Sequence, residues 1–215
     1  MAERLYHTML AKRVLERRRR GRVKYMLSQV DAWPGMRVLD VGCGPDGRSF
    51  ETYVLDEYHV TGIDILPPQD VTVHHAQFRY HQQDARDLSR FETKSFDLAI
   101  SIGMMEHICE RDTLEQIASE MMRVSKQWIV GVPWRYCCLE PHFKLPFFQL
   151  LPGSWQVLLA RQLNLHNLRP KIAQDSNWIK HHYQWLPSYE WKRIFNADKV
   201  CVLPMCGDLL VIKSN

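Results

Sequence analysis

The stretch VLDVGCGPDGRS, residues 38–49, constrains the fold of this chain more than any other. An apolar run typical of a buried strand leads directly into Gly42, Gly44 and Gly47, which are spaced as G-x-G-x-x-G. A glycine turn of this kind follows the first strand of open α/β sheets and binds adenosine-containing cofactors. Asp64 follows at about the distance where a ribose-binding acid is found. The turn alone does not distinguish a nicotinamide or flavin cofactor from other adenosine cofactors.

Further apolar runs extend the strand pattern along the chain. Those within residues 59–65, 78–84, 96–102 and 127–133 alternate with helical stretches, which predicts a parallel sheet wound on both faces. Two last runs, residues 199–205 and 208–214, predict an antiparallel pair that closes the sheet. We therefore expect an α/β fold, a Rossmann-like doubly wound sheet that is mostly parallel with an antiparallel C-terminal strand.

The length of 215 residues fits a single domain with three parts. A basic helical segment spans residues 1–33, and the core spans residues 34–134 and 198–215. Between the two parts of the core lies an insert, residues 135–197, rich in aromatic residues, proline and histidine. We expect a helical and loop segment here, after the fifth strand.

Cysteine spacing and hydropathy indicate in which cellular compartment the protein is expected. The six cysteines form no C-x-x-C pair, which disfavours a disulfide framework or a zinc ribbon and favours reduced thiols. The first residues lack the apolar region of a signal peptide, and no run approaches the ~20 apolar residues of a membrane-spanning helix. We expect a cytoplasmic protein.

The net charge of +4 is unevenly distributed. Residues 1–24 hold nine Lys or Arg against two Glu, and the remainder holds 19 basic and 22 acidic residues. A nucleic-acid groove requires a basic surface, so no nucleic-acid partner is expected. The cluster Arg17–Arg20, upstream of an aromatic insert, leads to the hypothesis of reversible peripheral contact with an anionic membrane. The alternative is a soluble protein with a solvated basic helix and an internally packed insert.

Four motifs in order give the chain a family resemblance. Asp40 stands two residues before the first glycine, Asp84 lies in QDARDL, and the fourth strand leads into GMMEHI. With the closing strand pair, they resemble class I S-adenosylmethionine-dependent methyltransferases, in the small-molecule branch with Glu-His after the fourth strand. The resemblance implies S-adenosyl-L-methionine as cofactor and S-adenosyl-L-homocysteine as product. A short-chain reductase would carry Tyr-x-x-x-Lys, which does not occur in the chain.

The resemblance also implies roles for individual residues. Asp64 would accept hydrogen bonds from both ribose hydroxyls, and Asp84 would meet the adenine amino group. Arg22 would pair with the methionine carboxylate, together with N–H groups of a helix that follows the glycine turn. The complete set implied around the cofactor is Arg22, Asp40, Gly42, Cys43, Gly44, Gly47, Asp64, Ile65, Asp84, Ala85, Ser101 and Ile102.

Glu106 and His107 follow the fourth strand. His107 is the candidate catalytic residue, since relatives place this position at the methyl group and imidazole accepts protons near neutral pH; the alternative is a structural histidine. The pair also resembles the Glu-x-x-Glu-His metal motif of ubiquinone-pathway O-methyltransferases, with Gly103 in the first position. Two of three ligands make a poor site for a hard cation, so no metal is expected.

The resemblance implies that the insert after the fifth strand binds the acceptor, because this family recognises acceptors there. The candidate contacts are Phe143, Phe147, Phe148, Trp155 and Trp185 as an apolar lid, and His142, His181, His182 and Tyr183 as polar contacts. In the alternative, Trp155, Leu158, Leu159 and Leu163 form a packed helix face. We expect methyl transfer to an oxygen or nitrogen of a small, apolar, lipid-like or glycan-linked acceptor. The alternatives are a nucleic-acid or protein methyltransferase and a catalytically silent cofactor-binding module.

Overall fold

The apolar runs form one seven-stranded sheet in the structure, a computed structural model that describes residues 2–47, 50–203 and 207–214. The description includes the side chains of these residues other than 2–12 and 166. The strands are β1 (Arg37–Val41), β2 (His59–Asp64), β3 (Phe78–Gln82), β4 (Phe96–Ile102), β5 (Ser125–Pro133), β6 (Lys199–Leu203) and β7 (Asp208–Lys213). The helices are α1 (Ala2–Leu27), α2 (Arg111–Val124), α3 (Gly153–Gln162), α4 (Arg169–Gln174), α5 (Trp178–His182) and α6 (Ser188–Ile194).

The strand order is β3-β2-β1-β4-β5-β7-β6. The first five strands are parallel, and β7 runs antiparallel to both β5 and β6. This order confirms the predicted doubly wound fold with an antiparallel C-terminal strand. The run predicted to continue to residue 205 ends as a strand at Leu203, and residues 204–206 lie outside the described residues. Because the strand order reverses between β1 and β4, the carboxyl ends of these strands border a crevice in which open α/β sheets bind ligands.

Two apolar cores cover the two faces of the sheet, because successive side chains of a strand point to opposite faces. On one face Leu39 of β1 packs with α2 and with Trp191 of α6. On the other face Val38 packs with Val23 and Met26 of α1. All of these side chains are buried, and each contributes on the order of 1.5–3 kcal/mol relative to an exposed position.

The segment after the glycine turn differs from the sequence expectation. Between β1 and β2 the described residues contain no α-helix, only a 3₁₀ turn at Glu51–Tyr53. Pro45 and Gly47 disfavour a helix start here, and Phe50 instead packs under the sheet. The helix whose N–H groups were expected to face the methionine carboxylate is therefore absent from this part of the described chain.

The insert has an apolar cluster of its own, which includes Phe143, Phe148, Leu168 and Ile179. On α3, however, Trp155 is 57% and Leu158 45% exposed, and Leu163 beyond its end is also exposed. The alternative of a packed helix face is therefore wrong for these three side chains. No helix in the described part of the chain has the length and apolar character to cross a membrane.

Candidate active site

The glycine turn and the end of β2 are joined by backbone hydrogen bonds. The N–H groups of Gly42 and Cys43 donate to the carbonyl of Ile63 at 2.9 and 3.2 Å. The Asp64 carboxylate then accepts hydrogen bonds from the N–H groups of Gly44 at 3.0 Å and Leu66 at 3.2 Å. These contacts fix the orientation of the Asp64 side chain.

Gly42 is required by both conformation and space. Its φ of +74° lies in the left-handed region, which a residue with a side chain rarely adopts. A Cβ at this position would also overlap the Met104 side chain, which lies over the turn. The turn and the segment after β4 are thus in direct contact.

A cavity of about 180 Å³ opens at the carboxyl ends of β1, β2 and β3. Its lining residues are Gly42, Ile63, Asp64, Ile65, Gln83, Asp84, Ala85, Met104, Ile108 and Ile117. Five of the predicted cofactor residues are brought together here: Gly42, Asp64, Ile65, Asp84 and Ala85. The volume is below the ~300–1,000 Å³ of a complete ligand pocket, so it suits one part of an extended cofactor.

Sequence reasoning missed the apolar wall of this cavity. Met104 and Ile108 flank the 3₁₀ turn after β4, and Ile117 lies on α2. The signal for Met104 was its position after a parallel strand, because the carboxyl ends of neighbouring parallel strands meet at one edge of the sheet. An apolar wall opposite polar groups suits a planar base.

Asp84 lies on the cavity wall but already has a cationic partner. Both of its carboxylate oxygens accept hydrogen bonds from the Arg86 side chain, with Nη2 to Oδ2 at 2.6 Å. The Arg86 hydrogen bonds lower the pKa of Asp84, so it is ionised at neutral pH. An ionised carboxylate has free lone pairs for a further donor, and its contact to an adenine amino group stays a prediction.

A buried acidic pair lies beneath the glycine turn. Asp40 is 2% exposed and Glu51 0% exposed. Burial, and then the neighbouring Glu51, raise the pKa of Asp40 well above its usual value, and burial raises the pKa of Glu51. A positive charge near the turn favours ionisation of this pair, which fits the sulfonium that the resemblance implies. Glu51 was missed because it follows the glycine motif in a segment without a strong pattern.

The other predicted cofactor residues do not line the described cavity. They are Arg22, Asp40, Cys43, Gly44, Gly47, Ser101 and Ile102. Arg22 forms an ion pair with Asp208 of β7 at 3.3 Å. Ser101 is fully buried within β4, and burial raises the pKa of the Cys43 thiol. Arg22 thus ties α1 to the sheet, and its predicted contact to the methionine carboxylate is not part of this cavity.

A cluster of ionisable side chains lies next to the cavity, where the insert meets the end of β4. The His142 Nε2 atom is 3.7 Å from Oε1 of Glu106, and the His107 and His142 rings are 5.2 Å apart between centroids. Tyr183 packs edge-on against both rings. Gln184 donates its backbone N–H to the carbonyl of Glu106 at 2.8 Å, which holds the insert against this turn.

Burial and neighbouring charges shift the titration of this cluster. Burial raises the pKa of Glu106 to about 7 and lowers the pKa of His107. Burial opposes protonation of His142, but the hydrogen bond and charge of Glu140 outweigh it and raise the pKa of His142. The cluster therefore includes groups that exchange protons near neutral pH. Sequence reasoning found His107 and named His142 as a polar contact, but it did not connect the two.

Comparisons with known proteins agree with this geometry. Residues 39–128 match a family described as a methyltransferase domain. Cyclopropane-fatty-acyl-phospholipid synthase of Escherichia coli (strain K12) is 33% identical over 107 residues, covering 44% of this chain and 25% of that protein. Ubiquinone biosynthesis O-methyltransferase of Xanthomonas campestris pv. campestris (strain B100) is 36% identical over 93 residues, covering 40% and 38%. This chain thus spans about a quarter and about two fifths of these relatives' lengths.

A solved structure supports the fold. Burkholderia thailandensis 1,6-didemethyltoxoflavin-N1-methyltransferase, with bound 1,6-didemethyltoxoflavin and S-adenosylhomocysteine, has a TM-score of 0.52. The two chains are 13% identical, and the match covers 93% of this chain and 78% of that one. Residues 39–128, less than half of the chain, therefore resemble a methyltransferase domain in sequence, and the chain as a whole shares the fold of this solved methyltransferase.

Proposed function

We propose that this protein is an S-adenosyl-L-methionine-dependent methyltransferase that acts on an oxygen or nitrogen atom of a small, apolar, lipid-like acceptor. The main support is the Asp64 carboxylate, which two backbone N–H groups orient at the wall of a cavity that is otherwise largely apolar. That arrangement combines an acceptor for hydroxyl groups with an apolar surface for a base, as a nucleoside requires.

The residues around the cavity fit the cofactor in chemical type. Asp64 would accept hydrogen bonds from the ribose hydroxyls, and Ile65, Met104 and Ile108 would enclose the adenine ring. The acidic pair Asp40 and Glu51 would lie nearer the cationic end. When bound, S-adenosylmethionine supplies a methyl group already activated by the sulfonium, so this chain has to orient the acceptor and exclude water. Such positioning can account for about 7–11 kcal/mol of a barrier in favourable cases.

The acceptor would lie between the cavity and the insert. His107, His142 and Tyr183 supply polar groups there, and Phe143 and Phe148 supply an apolar floor beneath Tyr183 and Trp185. The Nδ1 atom of His107 is hydrogen-bonded to the carbonyl of His182 at 2.9 Å, so Nε2 is the ring nitrogen left for another partner. Two partly matching relatives named for a fatty-acyl phospholipid and for ubiquinone support an apolar acceptor.

Replacement of Asp64 tests the cofactor site. Asp64→Ala is expected to weaken binding of S-adenosylhomocysteine by about 1.5–3 kcal/mol, because it removes hydrogen bonds to a charged group. Calorimetric titration measures the change, which corresponds to about 10- to 150-fold in affinity. Asp70→Ala removes an exposed carboxylate from the loop after β2 and should leave the affinity unchanged. Equal affinities of the two variants would mean that the site is elsewhere.

We propose in addition that the protein contacts anionic membranes reversibly. Arg17–Arg20 are exposed on α1. On α3, Trp155 and Leu158 are exposed, and Leu158 lies near Arg161. Basic side chains near an anionic surface contribute about 1 kcal/mol each, and exposed aromatic side chains favour the interface.

Co-sedimentation with vesicles tests membrane contact. Binding to anionic vesicles should exceed binding to neutral ones, fall as salt increases, and drop at least tenfold when Arg17–Arg20 are replaced by glutamine. Glutamine at the exposed Lys192 and Arg193 of α6 provides a control with two fewer positive charges. Equally weak binding to both vesicle types would exclude the membrane contact and leave the methyltransferase proposal unaffected.

A further inference from the structure

Three side chains beside the cofactor cavity converge on one point. Glu106, His107 and His142 bring one carboxylate oxygen and two imidazole nitrogens within 4.8 Å of one another. Glu106 is 2% exposed, and its Oε2 atom has no hydrogen-bond partner among the described residues. An unsatisfied buried carboxylate oxygen is costly unless a cation or a donor satisfies it.

Each histidine has its Nδ1 atom engaged by an oxygen acceptor. A carbonyl oxygen only accepts, so the contact of His107 Nδ1 with the His182 carbonyl places the proton on Nδ1 and leaves a lone pair on Nε2. The Nδ1 atom of His142 lies 2.8 Å from the Glu140 carboxylate, with the same consequence for its Nε2. Metal-ligating histidines generally donate their second nitrogen to a carboxylate or a carbonyl in this way.

The supporting carboxylate is itself fixed. Glu140 is fully buried and accepts hydrogen bonds from the backbone N–H of Phe143 at 2.5 Å and from Nε1 of Trp185 at 3.3 Å. These contacts come from two separate parts of the insert, so the position of His142 depends on the folded insert as a whole. The third member of the cluster is therefore provided by chain 36 residues beyond Glu106.

We propose that Glu106, His107 and His142 bind one divalent transition-metal ion of the Zn²⁺ type. Two imidazole nitrogens and one carboxylate oxygen suit Zn²⁺, whereas Mg²⁺ and Ca²⁺ take oxygen ligands. Because the three ligand atoms are at most 4.8 Å apart, a point between them lies within about 2.8 Å of each. Side-chain shifts below about 1 Å would therefore bring all three atoms to the usual metal–ligand distances of ~2.0–2.2 Å. Three protein ligands leave a position for water or an acceptor oxygen.

This proposal opposes the sequence expectation of no metal and revises the part of His107. That expectation rested on the Glu-x-x-Glu-His motif, in which Gly103 occupies the first ligand position, three residues before Glu106. Glycine has no side chain that could bind a metal. Since ligation uses Nε2, the metal-bound His107 holds the ion and does not take a proton. Metal binding is measured without cofactor or acceptor, so its outcome is independent of the proposed methyl transfer.

The test uses the full chain, stripped with a chelator, dialysed against micromolar Zn²⁺ and analysed for bound metal by mass spectrometry. We expect one equivalent in the wild type and at least a 100-fold weaker affinity in both His142→Ala and Glu106→Gln. His181→Ala, at an exposed histidine of the insert paired with Asp175, and Cys138→Ser, at an exposed thiol, should each retain one equivalent.

Cobalt substitution provides a second measurement on the same samples. The Co²⁺-loaded wild type and His181→Ala should show visible absorption of a low-coordinate nitrogen and oxygen site, which His142→Ala should lack. Circular dichroism establishes that each variant is folded. The proposal is overturned if the wild type binds less than a tenth of an equivalent, or if the folded Glu106→Gln variant binds Zn²⁺ as tightly as the wild type.

Discussion

Glu140→Ala is expected to lower the free energy of unfolding by about 3–5 kcal/mol at pH 7. Its carboxylate is fully buried and accepts hydrogen bonds from His142, from the backbone of Phe143 and from Trp185. Removal of one partner from a buried, charged network leaves the others unsatisfied, which costs about this much. Urea unfolding followed by tryptophan fluorescence measures the loss.

Two variants give this experiment its controls. Glu140→Gln keeps one acceptor oxygen and should cost less than Glu140→Ala, on the order of 1–3 kcal/mol. Glu92→Ala removes an exposed carboxylate from the loop before β4 and should change the free energy by no more than about 0.5 kcal/mol. If Glu140→Ala behaved like Glu92→Ala, Glu140 would not be the anchor of the insert.

Glu106 is expected to make the metal-free protein less stable as the pH rises. Burial raises the pKa of its carboxyl from 4.5 in the unfolded chain to about 7 in the folded one. Because the folded state binds the proton more tightly, this stabilisation is fully present below pH 4.5 and is lost as the pH rises through 7. Linkage gives a decrease of about 3 kcal/mol in the free energy of unfolding over this window.

The isosteric variant isolates this effect. Glu106→Gln cannot ionise, so the difference in unfolding free energy between pH 5 and pH 8 should be about 2.5 kcal/mol smaller than in the wild type. Urea titrations of both proteins in the presence of a chelator provide the comparison, and all other titrating groups are common to both. Parallel pH profiles for the two proteins would contradict an elevated pKa at Glu106.

The sheet followed from local sequence patterns, and half of the residues that line the cavity were implied by the family resemblance. Apolar runs of strand length define the strands, and the carboxyl ends of parallel strands meet at one edge of the sheet. The family resemblance implied Asp64, Ile65, Asp84 and Ala85 as cofactor residues, and they line one cavity because they lie at the carboxyl ends of β2 and β3. The glycine turn could also be predicted from the sequence, because its conformation requires residues without a Cβ.

Features that depend on contacts between residues far apart in the sequence could not be predicted from local patterns. Arg22 could have paired with a ligand or a carboxylate, and its partner Asp208 is 186 residues away. His142 reaches Glu106 only because the insert folds back onto the end of β4. The expected helix after the glycine turn does not form, for a different reason. Packing of Phe50 and Val54 against the sheet stabilises this short segment more than helix formation would.

The central claim, that the glycine turn forms an S-adenosylmethionine site, is tested most directly by calorimetric titration of the full chain with S-adenosylhomocysteine and, separately, with NADH. The account predicts saturable one-to-one binding of S-adenosylhomocysteine and no saturable binding of NADH. Micromolar binding of NADH without binding of S-adenosylhomocysteine would contradict it.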